Sequence, residues 1–406
     1  MSTDAALRKP EPPEAVEAEG PRPAKRVHSD LMFLAGELLH RGAQTHYERR
    51  AAEFIRDRFR GTTQNVEVDD FHAIENPAYL FGSYFGEFVV VGVLAYAWPA
   101  FALAYGFGLL VAFLAEYHGV RIFERLLPEY ETQNVVARYL SLRPRKLIIV
   151  TAHYDSGGAS LLSNPGVARW LRPALLVMLV CMVLVLATCG AEAWAIYRGQ
   201  DAAWLLYPRW VCITLLICGA TFMFFASRNI EDIRGANGNA SGVAVLLQLA
   251  ERIKARDVEG ADVWLAATGS HEAWMAGARR LVRQAKSEQR EIHLLNIESV
   301  GAGNLHYTTT EGMLGANRCA PALIEAAARC AATHGATPTT LRSVPTGAHV
   351  ALVAGIKAMS IVGVGEDGVP VHWNQIDDRI TNIDEPQILR AADFAEGVVR
   401  VLAARP

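Results

Sequence analysis

Three stretches of the chain carry no charge over long distances. Nineteen uncharged residues separate Arg172 from Glu192, eighteen separate Arg209 from Arg228, and twenty-eight run from Phe88 to Ala115, interrupted by Trp98-Pro99. At ~1.5 Å of rise per residue, each of the first two spans a hydrocarbon core of roughly 30 Å. A helix of that length in a soluble domain carries a polar stripe, which these lack. The pair therefore predicts two transmembrane helices in an insertion at about 168–228. The linker between them holds Trp194, Tyr197, Trp204 and Tyr207, the residues of an interfacial aromatic belt. The third stretch is long for one crossing and short for two. If the segments flanking it belong to one folded domain, the chain must leave and return on the same side. That parity predicts a short hairpin turning near Pro99, or a re-entrant pair, in an insertion at about 80–118.

Between the insertions the pattern alternates. Residues 31–40 and 47–59 have helical periodicity, 66–71 reads as a strand, and 134–140 with 146–152 as a strand pair. A helix at 240–254, strands at 262–268 and 291–297, and a helix at 320–334 follow. The alternation closes with a helix at 349–354, a strand at 358–364 and a helix at 385–403. Strand and helix in turn predict an α/β domain over 29–406, a mostly parallel central sheet with helices on both faces. Such sheets bind ligands beyond the carboxyl ends of their strands.

Composition sharpens this. Of 406 residues, 51% are hydrophobic and 20% charged, with a mean hydropathy of +0.15, which excludes a disordered chain and agrees with a lipid bilayer as partner. The net charge of -3 provides no basic face for phosphates, so nucleic acid is excluded as a partner. Residues 1–28 hold five prolines, mixed charges and almost no large apolar side chain, and read as a disordered tail without a signal-peptide pattern. Four of the six cysteines (Cys181, Cys189, Cys212, Cys218) fall in the apolar runs and act as small hydrophobes. Cys319 and Cys330 lack zinc-ligand spacing. Arg121, Arg125, Arg169, Arg172, Arg228 and Arg234 lie on the domain side of the spans, with only Arg198 and Arg209 opposite, so the positive-inside rule places the domain in the cytoplasm.

Chemistry-bearing residues gather just after the strands. LIIVTAHYDSGG offers His153 and Asp155, ATGSHEAWMAG offers His271 and Glu272, NIESVGAG offers Glu298, and VPVHWNQIDDR offers His372 and Asp377. Imidazoles and carboxylates converging at strand ends suit zinc, and an Asp two residues from a His can orient its imidazole.

These motifs, with GANGNASGVA at 235–244, resemble in order those of the bacterial aminopeptidase type of di-zinc exopeptidases, metallopeptidase family twenty-eight, whose usual forms approach AHxDS, GAnDNaSGva, EExGLxGS, NlDmxG and HtxxDt. The resemblance implies a zinc-exopeptidase-like fold and a metallo-aminopeptidase activity. It assigns His153 and Glu298 to one zinc, with Glu298 in place of the usual Asp, and Glu272 and His372 to the other, with Asp155 orienting His153. Three positions depart from it. Gly238 stands where the family has its bridging Asp, His271 where it has the general-base Glu, and Gly347 where an acidic residue is common. His271 is thus a substitute base, a third ligand to a single zinc, or an arbitrary residue in a decayed site. The full resemblance implies two zinc ions, and the departures reduce that to one weakly bound ion or none. Two function classes remain open: a membrane-anchored metallo-aminopeptidase or related hydrolase with a rebuilt single-zinc site, and a pseudoenzyme with lost or weak peptidase activity that recognises a peptide or protein N-terminus, a lipid or another partner.

Overall fold

The structure is a computed structural model and describes residues 23–405. Its strands are β1 (Val66–Ile74), β2 (Glu129–Tyr139), β3 (Lys146–His153), β4 (Gly158–Ala159), β5 (Glu231–Asp232), β6 (Ala261–Thr268), β7 (Ile292–Glu298), β8 (Asn304–Glu311), β9 (Asn317–Arg318), β10 (Thr337–Leu341) and β11 (Lys357–Val364). All except β4 and β5, which pair as a small ribbon, form one nine-stranded sheet ordered β1-β2-β6-β3-β7-β11-β8-β10, with β9 beside β8. The centre, β6-β3-β7-β11, is parallel; β1, β2 and β8 pair antiparallel with their inner neighbours, and the edge strand β10 pairs parallel with β8. Every residue of β3 and β6 is buried, which is why both read as unbroken apolar runs. This is the expected α/β fold.

Its helices are α1 (Pro23–Leu31), α2 (His46–Arg60), α3 (Pro77–Leu94), α4 (Pro99–Tyr117), α5 (Pro165–Ala168), α6 (Leu171–Tyr197), α7 (Leu206–Arg228), α8 (Ser241–Ala255), α9 (Ala276–Lys286), α10 (Pro321–His334), α11 (Gly347–Val353) and α12 (Glu385–Ala404). One apolar layer joins α8 and α12 to β3, β6 and β7 through Val243, Leu247, Phe394 and Val398. On the opposite face α9 and α11 cover Ile149, Trp264 and Leu294.

Three expectations need correction. The expected tail ran through His28. Residues 1–22 lie outside the described residues, and from Pro23 the chain is helical, with Val27 and Leu31 fully buried in the main core. Residues 32–37 form a π-helical turn, not a continued α-helix. The strands at 134–140 and 146–152 exist but do not pair, because β6 lies between them and hydrogen-bonds to both. Periodicity marks a strand, whereas its neighbour depends on contacts distant in sequence.

Among the described residues, four helices are long and apolar enough to cross a membrane: 77–94, 99–117, and the long helices containing α6 and α7. The first two meet at a break before Pro99, which sits at the start of α4. They pack with α6 and α7 into a separate apolar cluster that includes Phe85, Phe88, Phe113, Met182 and Leu216. Outward-facing Val93, Phe107, Val111, Val180 and Val211 remain exposed. Tyr96, in the α3–α4 turn, lies 6.1 Å in ring-centroid distance from Trp210 near the start of α7, so the turn and the far end of the second pair stand at one level.

At the near end the cluster is fastened to the domain. The Glu116 carboxylate at the end of α4 accepts the backbone amides of Ile122, Phe123 and Glu124, and buried Glu124 pairs with Arg279 of α9 at 2.6 Å. Phe81 of α3 meets Trp274 edge-on at 4.7 Å.

Candidate metal centre

Three neighbouring parallel strands build the site. His153 is the last residue of β3, opposite Thr268 at the end of β6. Glu298 ends β7 on the other side of β3. Three residues beyond Thr268 comes His271, after a turn in which Ser270 takes a positive φ of 49°. That turn is held from behind by buried Glu48, which accepts the Ser270 amide at 2.7 Å and the Thr132 hydroxyl. The consequence is a buried group, His153, His271 and Glu298, whose candidate donor atoms all lie within 4.8 Å of one another. The two imidazoles stack at 4.1 Å.

Asp155 lies against the His153 ring. The His153 Nδ1 donates to the Asp155 backbone oxygen at 3.1 Å and faces its carboxylate at 3.5 Å, leaving Nε2 for a ligand role. One Asp155 oxygen accepts the Glu272 amide at 2.9 Å, while the buried Oδ1 has no hydrogen-bond donor. Glu298 is fixed by Asn296, which donates to it at 3.1 Å.

Electrostatics divide the two imidazoles. Burial, which alone would lower His153, is outweighed by the hydrogen bond and charge of Asp155 and the charges of Glu298 and Glu272, which raise it to about 9. Burial and the neighbouring His153 charge push His271 down to about 3. A ring so reluctant to take a proton is a poor base and a suitable neutral ligand. Burial and the Asp155 charge raise Glu272 to about 7. Burial also raises Glu298, against the pull of His153.

The other expected pole differs. Gly238 has no side chain to bridge ions, and a Cβ placed there would sit 3.1 Å from the Asp378 Oδ2. Asp378, buried, caps the backbone amides of Asn237 and Gly238. Burial raises its pKa, opposed by those amides, Arg41 and His372. Buried Arg41 ties the same region together, donating to the carbonyls of Tyr154 and Gly235 and to the Asn239 side chain. The expected Asp377 is exposed, its neighbour Asp378 taking the interior place. Glu272 and His372, both expected as ligands, stand outside the three-donor group. Glu272 instead lines a cleft of about 350 Å³ with His271, Trp373 and Asn374, and accepts from the Asn374 amide at 3.0 Å.

Two imidazoles and one carboxylate around a common point form a donor set found at catalytic zinc sites, where three protein ligands leave a fourth position open. The undonated Asp155 oxygen behind His153 strengthens the fit, since it would balance a cation on the far nitrogen of the ring. A single divalent metal therefore suits the β6-β3-β7 pole. Sequence reasoning missed Asp378, Glu48 and Arg41. Only the DDR doublet signalled the first, and nothing local signalled the others.

Residues 222–399 match Peptidase family M28, a stretch that includes Gly238, His271, Glu272, Glu298 and His372 but not His153 or Asp155. No curated protein matches the chain. Among solved structures, a zinc aminopeptidase from Bacillus subtilis is similar with 15% identity and a TM-score of 0.55, over 93% of this chain and 94% of its own. The glutaminyl cyclase of an Acidobacteriales bacterium shares 13% identity at a TM-score of 0.55 over the whole of both chains. The LapA aminopeptidase of Legionella pneumophila shares 9% at 0.54, over 94% of this chain and 72% of that one. The fold is thus that of M28 aminopeptidases and glutaminyl cyclases.

Proposed function

We propose that the protein is a membrane-anchored hydrolase of the aminopeptidase type, with a single zinc held by His153, His271 and Glu298 and with Glu272 as the proton acceptor. The observation that supports it most is the convergence of those three donors within 4.8 Å. The choice of zinc is supported by the similar Bacillus subtilis structure, itself a zinc aminopeptidase. Zinc bound there would polarise a scissile carbonyl and make water a stronger acid.

The residues would divide the remaining work. Asp155 holds the His153 tautomer and balances its charge, and Asn296 aims Glu298. His271, neutral through burial, serves as ligand, which moves the role of base one residue along. Asn374 fixes the Glu272 Oε2, so that Oε1 takes a proton from water at the cleft floor and passes it to the leaving amine. Membrane anchoring is supported by the four long apolar helices and their exposed aliphatic and aromatic surface. The excess of arginine at the domain-side ends of those helices favours a cytoplasmic domain.

A second reading, a catalytically silent recogniser of a peptide terminus, is favoured by Gly238, since nothing there bridges a second ion. Purified full-length protein separates the two readings. Metal analysis should find one zinc, and aminoacyl-anilide hydrolysis, assayed beside cyclisation of glutaminyl peptides, should disappear in Glu272→Gln while zinc is retained. Zinc without turnover would establish the silent reading. Absence of stoichiometric zinc would defeat the metal site. Protease added to intact cells should leave a cytoplasmic domain uncut.

A further inference from the structure

The cleft containing Glu272 has two chemically different ends. Its inner end is the candidate metal centre, with His271, Glu272, Trp373 and Asn374. Its outer end is made of the apolar helices themselves: Phe81 of α3, Leu171 and Leu175 of α6, and Met223 and Ala226 of α7. Each of these residues lies within about 8 Å, along the helix axis, of the domain-side end of its helix. If the helices span a bilayer, this wall stands at headgroup depth, and the route to the metal centre begins there.

The charge in the cleft narrows what the route admits. Glu75, Asp232 and Glu272 contribute carboxylates, and among the described residues the lining holds no lysine or arginine. An anionic lipid headgroup would meet only repulsion, whereas a ligand with a cationic head and an apolar body matches both ends. The volume of about 350 Å³ is at the small end for ligand sites, enough for a short terminal segment and too small for a folded partner.

We propose that this cleft receives its substrate from the bilayer surface, as an unblocked peptide amino terminus followed by large apolar residues, with the ammonium drawn in by the carboxylates that line the cleft and the apolar side chains against Phe81, Leu175 and Met223. The proposal rests on the membrane-anchored, peptide-directed reading above and adds where the substrate comes from. It also gives the apolar helices a second role. Trp274, two residues beyond Glu272 and with a positive φ of 61°, packs on Phe81 and lies 5.6 Å from Tyr117, so these helices brace the loop that carries the site as well as walling the cleft.

The test uses zinc-loaded full-length protein in phosphatidylcholine nanodiscs. The probe is a peptide beginning Leu-benzoylphenylalanine-Leu, anchored in the same bilayer by a C-terminal hexadecyl amide, through a linker of either two or about thirty residues. Photocrosslinking yield and site are read by mass spectrometry. The short-linker peptide should crosslink at least as well as the long one, at or beside Leu175 or Met223. Acetylating its amino terminus, or introducing Met223→Arg, should lower the yield about tenfold with zinc content unchanged. Ser227→Arg, a milder change on the same wall, should do the same and covers the case in which Met223→Arg fails to fold. Crosslinking only through the long linker would overturn the proposal, as would equal yield from the acetylated peptide. Suppression by phosphatidylglycerol in the bilayer would also overturn it, by showing that a lipid occupies the cleft. Because crosslinking needs no turnover, a protein that crosslinks as expected but does not hydrolyse would refute the catalytic reading and leave this one standing.

Discussion

The two poles of the site are built from opposite materials. At the β6-β3-β7 pole, two donors end the adjacent parallel strands β3 and β7, and the third, His271, follows the end of β6 by three residues and is turned back to meet them. At the Gly238 pole the inward-facing groups are backbone amides at the start of a helical turn, and the Asp378 carboxylate beside them is already occupied in capping them. A helix start capped by a carboxylate is stable and internally satisfied. Adjacent imidazoles and carboxylates without a cation are less so. The difference teaches that one pole of such a pocket can be ordinary secondary-structure chemistry, satisfied within itself, while the other gathers donors from separate strands.

The largest effect expected from this contrast is on metal binding. His271→Ala removes one of three ligands and should lower zinc affinity by about 100-fold or more, the upper end of what even outer-sphere changes cost. His372→Ala, at the other pole, should leave zinc content unchanged by metal analysis. The reverse result would mean that the ion sits at the Gly238 pole and the comparison is inverted.

One step down, Asp155→Asn keeps the shape but removes the charge behind His153. Zinc affinity should fall by roughly 10- to 100-fold, measured by chelator competition. Asp378→Asn should leave affinity unchanged, because it supports backbone and not a ligand.

Stability sharpens the contrast from the other side. Gly238→Asp restores the bridging residue of the family, yet its Cβ would lie 3.1 Å from the Asp378 Oδ2 and its carboxylate would face another buried one. We expect a loss of about 1–3 kcal/mol, seen as a lowered melting temperature in detergent. Gly238→Asp with Asp378→Asn should recover part of the loss by removing the like charge. If Gly238→Asp alone is neutral, the pole is looser than its capping suggests. Adding His271→Glu to that pair should bring zinc content closer to two.

The sequence made the strand-end pole legible and much of the rest not, for identifiable reasons. β3, β6 and β7 are buried on both faces, so they read as continuous apolar runs with His153, His271 and Glu298 close behind. β8 and β10 were missed because NLHYTTTE and TPTTL are threonine-rich strands on the flank of the sheet, with little apolar signal. The first turns of α3 were hidden by Glu87, taken as the end of an apolar run, whereas the helix contains it and Tyr105 donates to it at 2.7 Å. Which of Asp377 and Asp378 points inward depends on a single residue of loop phase, with Asn374 at a φ of 48°, and composition has no bearing on that. For His271 the motif left three alternatives open: substitute base, third ligand and arbitrary replacement. Only burial and the distance to His153 favoured one of them.

The smallest effect concerns Gly347, where the family commonly has an acidic residue. It opens α11 against Asn296, and a Cβ there would lie 2.6 Å from the Asn296 Oδ1. Asn296 is the donor that orients Glu298, so Gly347→Ala should act on the metal at one remove, by turning the amide and not by touching a ligand. The Asn296 amide also reaches the Ser360 hydroxyl at 3.2 Å, which limits how far it can turn and keeps the expected loss of zinc affinity to a few-fold. Asn296→Ala should give a similar loss without any clash, so agreement between the two variants in chelator competition would assign the effect to orientation of Glu298. A Gly347→Ala protein that loses stability yet keeps its zinc affinity would instead mean that the helix gives way before the amide does.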